Sequence, residues 1–282
     1  IEVRPFRVMD ELETGRIVIV AGFQGTSYKR EITTLGRGGS DTTAIALAAA
    51  LGATCEIYSD IEAVYTADPK VVLDAHRLAE LSYEEMLALS RNGAKVLNAE
   101  AVEFARQAGI AVYTRSTFEP LKEGSVVRVN PPHEARPVVG VTGRKGAFAL
   151  EVARGERGIV AAVESLVGGH GLVPDFVTTG LEDGDPILFV FSPVQNPGLP
   201  GLLDEAAAAL GGRARVRGGL GIVTAVGDVL GHEALARDVL RCLSACAGLS
   251  GLVATPTAVS ALVPEADVDE LLRQVHAACF PA

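Results

Sequence analysis

Three short stretches combine residue types and spacings that can do chemistry. In Leu35-Gly36-Arg37-Gly38-Gly39-Ser40-Asp41-Thr42-Thr43, three glycines, an arginine, three hydroxyls and a carboxylate fall close together. Glycines let a backbone approach a ligand and take dihedrals that other residues avoid. A helix beginning at Thr42 would turn its free N–H groups back onto this loop as an anion cradle, with Ser40 or Asp41 as its cap. Arg37 adds a planar fork that matches a carboxylate or a phosphate oxygen pair. Taken alone, the string describes a tight turn before a capped helix equally well.

The second stretch runs from Tyr58-Ser59-Asp60 through Val64-Tyr65-Thr66-Ala67-Asp68-Pro69-Lys70. An aromatic ring, acids and a lysine at the end of a strand suit a nucleotide. Tyr65 would lie beside the base, the acids would serve ribose or magnesium, and Lys70 the phosphates. The plain alternative is a solvated loop in which Pro69 blocks a helix. The third stretch, Gly93-Ala94-Lys95, places a lysine at a helix junction, where by itself it is simply a surface charge.

The elements that would carry these residues alternate. Arg16 to Phe23 reads as a buried strand, Ile32 to Leu35 as a short one, and Thr42 to Leu51 as an alanine-rich helix stopped by Gly52. Cys55 to Tyr58 reads as a strand, Ser82 to Leu89 and Ala99 to Ala108 as helices, and Ala111 to Thr114 as a strand. This alternation predicts an α/β fold with a mainly parallel sheet, whose ligands lie beyond the carboxyl ends of the strands. From 119 to 136, prolines and Gly124 mark a linker with at most one strand, Ser125 to Val129. Residues 137–282 then state one pattern twice, strand–helix–strand–strand–helix, in copies of about 137–212 and 213–282 or in an interleaved arrangement.

Composition narrows the function. The chain has 282 residues, 48% of them apolar, and a formal net charge of −10. It therefore has ample material for cores, and its charge disfavours nucleic acid and anionic membranes. The longest uninterrupted apolar stretch, Ala44 to Leu51, is far short of the roughly 20 residues that span a bilayer. Cys55, Cys242, Cys246 and Cys279 are too few and scattered for a disulfide framework. Cys242 and Cys246 share a helix face, but nothing completes a tetrahedral metal set around them. A reducing, cytoplasmic setting is expected.

Val20-Ala21-Gly22-Phe23-Gln24-Gly25, Thr33 to Thr43, Tyr65-Thr66-Ala67-Asp68-Pro69, Gly93-Ala94-Lys95-Val96-Leu97 and Arg115-Ser116-Thr117-Phe118 together resemble the aspartate kinase family over residues 1–118. The duplicated module resembles the tandem ACT domains of that family. The resemblance implies the C-terminal portion of an amino-acid-kinase αβα sandwich, followed by two α+β ferredoxin-like ACT domains. It also implies ATP and Mg²⁺, phosphorylation of L-aspartate to 4-phospho-L-aspartate, and a step toward lysine, threonine and methionine.

Carried over by motif, Arg37 holds a substrate carboxylate, and Gly38, Gly39 and Ser40 line the substrate, Ser40 on the nucleotide side. Asp41 organises a catalytic lysine. Ser59, Asp60, Tyr65, Thr66, Ala67, Asp68, Pro69 and Lys70 line ATP, with Lys95 near the phosphates.

The family's opening Lys-Phe-Gly-Gly-Thr-Ser motif has no counterpart in these residues, so the chain by itself is expected to be inactive. Ala63 stands where the family usually has glycine, Lys70 where it has arginine, and Asn98 where histidine is frequent. The rival expectation is a non-catalytic amino-acid-sensing chain with a degenerate kinase lobe; a relative acting on glutamate is a third. The ACT pair is expected to build a homodimer and to bind lysine or threonine poorly. In the first copy, Ala153 to Gly158 forms the effector turn, Val173 stands at a polar clamp position and Pro174 removes a donor. In the second copy, Thr255-Pro256-Thr257 lacks the acid that would meet an effector ammonium.

Overall fold

The computed structural model describes residues 3–36, 38–132, 136–154, 159–182, 184–193, 196 and 198–281. Two compact units divide the chain: residues 1–66 with 75–135, and residues 67–74 with 136–282.

In the first unit, α1 (Phe6–Glu13) precedes a hairpin of β1 (Gln24–Thr26) and β2 (Ile32–Thr34), then α2 (Gly39–Leu51) and β3 (Cys55–Ser59). β4 (Glu80–Leu81), α3 (Tyr83–Arg91), α4 (Ala99–Ala108), β5 (Val112–Ser116) and β6 (Ser125–Val127) follow. The four-stranded sheet runs β3-β5-β6-β4, with β3 parallel to β5, β4 parallel to β6, and β5 antiparallel to β6. Two of the three pairings are parallel, so the sheet is mainly parallel, as expected, with one antiparallel pairing. β6 falls within the expected Ser125 to Val129 and lies inside this sheet.

Local chemistry explains the helix ends. Ser82 and Glu85 form a reciprocal capping box on α3. Asn98 caps α4, and Gly109 closes it in the left-handed conformation.

The run Arg16 to Phe23 corrects the expectation of a buried strand. Among the described residues it pairs with no strand, and Ile17 and Ile19 are each 94% exposed. An apolar run is a buried strand only where neighbours cover it. Here α1, which buries none of its residues, and α2 flank the run, leaving a groove of about 490 Å³ lined by Val8, Leu12, Val18, Val20, Leu47 and Leu51 among others.

The second unit contains β7 (Gly140–Val152), α5 (Ile159–Gly169), β8 (Phe176–Thr179), β9 (Ile187–Phe191), α6 (Leu199–Ala209) and β10 (Ala214–Val226). It continues with α7 (Glu233–Ser244), β11 (Gly251–Thr255), β12 (Ala258–Pro264), a 3-10 turn (Glu265–Asp267) and α8 (Val268–Cys279). One antiparallel sheet, ordered β11-β12-β10-β7-β9-β8, holds all six strands.

β7 serves both halves of the sheet. β7 from Phe148 to Val152 pairs with β9, as the first copy requires. Its earlier half, Gly140 to Lys145, pairs with Gly221 to Val226 of β10 and lies under α8. A Cβ on Gly143 would come within 3.0 Å of Val268, which shows how closely that helix sits. The later half of the unit thus takes a strand from residues near the unit's start. A register shift between Arg217 and Leu220, near Gly146 and Gly219 at positive φ, marks the handover.

Residues of β7 feed both faces of the sheet. Leu150 and Val152 join Val163, Phe189, Phe191 and Leu203 on one face, while Ala147 and Ala149 join Leu188, Val190, Ile222 and Leu262 on the other. This explains the nearly unbroken apolar run from Ala147 to Val152.

Candidate functional site

A parallel strand pair with crossover helices sends the start of each helix toward the carboxyl ends of the strands. In the first unit α2 leads into β3 and α4 into β5, and the two helices pack on each other. Their first turns bring the glycine loop and the 93–98 junction together.

α2 begins at Gly39, three residues before the expected Thr42, and its cap is Gly38 at φ 76° with no side-chain cap bond. Ser40 and Asp41 are thus first-turn residues rather than caps. The cradle of free N–H groups is also only partly met. Gly39 N–H donates to Gly36 O at 3.1 Å, and those of Asp41 and Thr42 donate to Gly38 O at 3.1 and 3.2 Å. A turn this tight uses its own donors to close.

The glycines here make room for protein. A Cβ on Gly38 would stand 2.4 Å from Asn98 Cβ, and one on Gly39 would stand 2.8 Å from Leu35 Cβ and 3.2 Å from Phe23 Cδ2. Gly36, at φ 80°, faces open space. Phe23 adopts φ 68°, held by its N–H donating to Thr43 Oγ1 at 3.2 Å and its carbonyl accepting from Leu35 N at 3.0 Å. Arg37 lies outside the described residues.

Asp41 is partly buried, and burial pushes its carboxyl above the usual carboxylate range. The backbone N–H of Asn98 and the Ser40 hydroxyl donate to it and pull the other way. Cys55, buried on β3, feels Asp41 and Glu56 as well as its own desolvation, and its thiol is pushed up to about 11.

The nucleotide-side residues divide. Ser59 ends β3 opposite Ser116 of β5, and its hydroxyl donates to Ile61 O at 3.0 Å and accepts from Ile61 N–H at 3.1 Å. Asp60, next in the chain, is exposed. Tyr65 is half-buried, with its hydroxyl on Glu62, which also meets Lys122 at 2.7 Å. Thr66 is buried; its N–H donates to His76 O and its hydroxyl accepts from His76 N–H, both at 2.9 Å. Lys95 is exposed on the junction that ends at Asn98.

Ala67, Asp68, Pro69 and Lys70 cluster with the second unit, where the Asp68 carboxylate accepts from Lys70 N–H at 2.9 Å. Asn98 is the residue that motif reading undervalued. An asparagine just before an alanine-rich helix is a cap signal, and that signal was available.

In the second unit, Arg144 Nη1 meets Asp175 Oδ1 at 2.5 Å, with side chains 10% and 3% exposed, and Ser192 Oγ lies 3.3 Å from both groups. The buried Asn196 accepts from Val173 N–H at 2.8 Å and donates to Val173 O at 3.1 Å. The 155–158 part of the expected effector turn lies outside the described residues. Among the described residues no group of three or more His, Cys, Asp or Glu could hold a metal ion.

Residues 4–116 match the model of the amino acid kinase family. The chain is 34% identical to an aspartokinase of Thermus thermophilus over 292 residues, covering 99% of this chain and 71% of that protein. Against an aspartokinase of Corynebacterium efficiens, identity is 55% over 120 residues, 42% of this chain and 28% of the relative. Escherichia coli aspartokinase III, solved in complex with aspartate and ADP, superposes with a TM-score of 0.76 at 28% identity, covering 91% of this chain and 59% of that one. This chain therefore spans less than two thirds of that structure's length.

Proposed function

The chain belongs to the aspartokinase family, and we propose that the protein carrying it transfers the γ-phosphoryl group of ATP to the side-chain carboxylate of L-aspartate. A carboxylate oxygen attacks the phosphorus, the bond to the ADP oxygen breaks, and 4-phospho-L-aspartate results. What carries this reading is the 34% identity to an aspartokinase running through 99% of the chain.

The reaction brings anions together, so catalysis rests on positioning and charge neutralisation. Arg37 would fork onto a carboxylate of aspartate, with Gly38, Gly39 and Ser40 bordering the same substrate. Asp41 would orient a lysine toward the transferring group. Ser59, Asp60, Tyr65 and Thr66 would serve the nucleotide, and Lys95 its phosphates; Ala67 to Lys70 are assigned to ATP on the family motif.

Magnesium is held chiefly by nucleotide phosphates plus one or two carboxylates. The exposed Asp60 carboxylate beyond β3 fits that modest demand. The ion would neutralise phosphate charge. The second unit is assigned to an ACT-type regulatory pair that builds a homodimer.

Trapping the acyl phosphate with hydroxylamine tests the activity. Hydroxamate should form only with ATP and L-aspartate together, and formation driven instead by L-glutamate overturns the assignment. Arg37→Ala should cost about 2–5 kcal/mol of aspartate recognition, because it strands a substrate carboxylate. ATP affinity should hold.

A further inference from the structure

The geometry points to Asn98 as a positioning residue for Asp41: the cap of α4 fixes both the glycine turn and the carboxylate in the first turn of α2. The catalytic meaning of Asp41 rests on the aspartate-kinase reading. The positioning itself does not.

Three observations converge on Asn98. Its side chain is fixed, because Oδ1 accepts from Glu100 N–H at 2.8 Å and from Ala101 N–H at 3.3 Å. The fixed side chain occupies the space over Gly38, where a Cβ would stand 2.6 Å from both Cγ and Nδ2. Its backbone, at φ −71° and ψ 137°, aims its own N–H at the Asp41 carboxylate. One residue thus ends the 93–98 junction, sets the spacing to the glycine turn, and donates to the acid that the turn presents. Lys95 lies three residues upstream, so its approach is set by the same junction.

Burial works against the charged form of Asp41, and the Asn98 N–H works for it. The groups that face Asp41 are Ser40 on its own helix, Asn98 from α4 and Cys55 from β3, whose thiol is neutral at working pH. Removing the N–H leaves burial less opposed, so the carboxyl should hold its proton to higher pH.

Proline at 98 removes that N–H, and its ring is compatible with φ −71°. Alanine removes only the side chain. In the 282-residue chain labelled with ¹³C-aspartate, the Asp41 carboxyl is followed against pH, with Asp41→Asn giving the assignment. Asn98→Ala, which loosens the cap but keeps the N–H, should raise the titration midpoint by less than Asn98→Pro, which should raise it by about one pH unit. Coincident curves for the two variants would overturn the proposal.

Asn98→Asp keeps a good cap and the N–H while placing a second negative charge beside the turn, which covers the case of an unfolded proline variant. It too should raise the midpoint, and an unmoved curve would overturn the proposal. In turnover assays, Asn98→Asp should move the acid limb of kcat/KM for aspartate upward and leave the KM for ATP unchanged. Absence of turnover in the longer protein that carries this chain would count against the kinase reading alone, because the Asp41 titration does not depend on it.

Discussion

Polar groups in the two units have opposite fates. In the first unit Ser40, Asp60 and Lys95 are exposed, and the glycines of the turn beside Ser40 are packed from behind by Asn98, Leu35 and Phe23. In the second, Arg144, Asp175, Ser192 and Asn196 pair with one another and with the backbone of Val173. A surface that holds its donors outward can spend them on a ligand. One that pairs most of them internally spends them on its own order, although Arg144 Nε and Asp175 Oδ2 are buried without a hydrogen-bond partner among the described residues.

The sharpest way to break this contrast is Arg144→Ala. It leaves Asp175, 3% exposed at its side chain, without its cation. Truncating one partner of such a pair costs about 3–5 kcal/mol. Urea unfolding should show that loss; a change below 1 kcal/mol would mean that the carboxylate finds water and the site is open after all.

Next in size is Gly38→Ala. The new Cβ combines a left-handed φ with a 2.4 Å approach to Asn98, and overpacking of that kind costs about 1–3 kcal/mol on top of the backbone term. Gly36→Ala has the same sign of φ and open space, so only the backbone term, about 1–2 kcal/mol, should appear. Equal losses for the two variants would show that the turn is not packed from behind.

The smallest expected signal is binding of lysine or threonine to the second unit. With Asp175 held by Arg144 and Val173 held by Asn196, calorimetric titration of the chain should give a Kd weaker than about 1 mM for either amino acid. Saturation at micromolar concentration would show that these internal partners yield to a ligand.

Much of the architecture was legible because punctuation is local. Asn98 and Gly109 bracket α4, and the expected bounds of Ala99 to Ala108 agree with the helix. Gly52 ends α2 in the same way. What local pattern could not supply was the neighbour. Arg16 to Phe23 has the composition of a buried strand but no pairing among the described residues. The first half of β7, Gly140-Val141-Thr142-Gly143-Arg144-Lys145, looks too rich in glycine and charge for a strand. It is one because β10 pairs with it and α8 packs closely over Gly143.

At the candidate site, residue types pointed to the turn, while the role of Asn98 depended on how closely two helix starts approach. No spacing rule encodes that distance.

The exchange of strands between the copies also dictates how the second unit comes into being. Lys145 meets Asp269 across 124 residues of chain, and Gly146 N–H meets Glu265 across 119. During synthesis the opening half of β7 emerges long before α8, so one of its faces waits for cover until α8 has been made. Pairings that span so much sequence form slowly, because the chain must close a large loop before any contact stabilises it. Neither copy can be cut away as an autonomous module: severing at 212/213 leaves the later fragment without a strand and the earlier one with an uncovered half-strand, a ready template for intermolecular pairing.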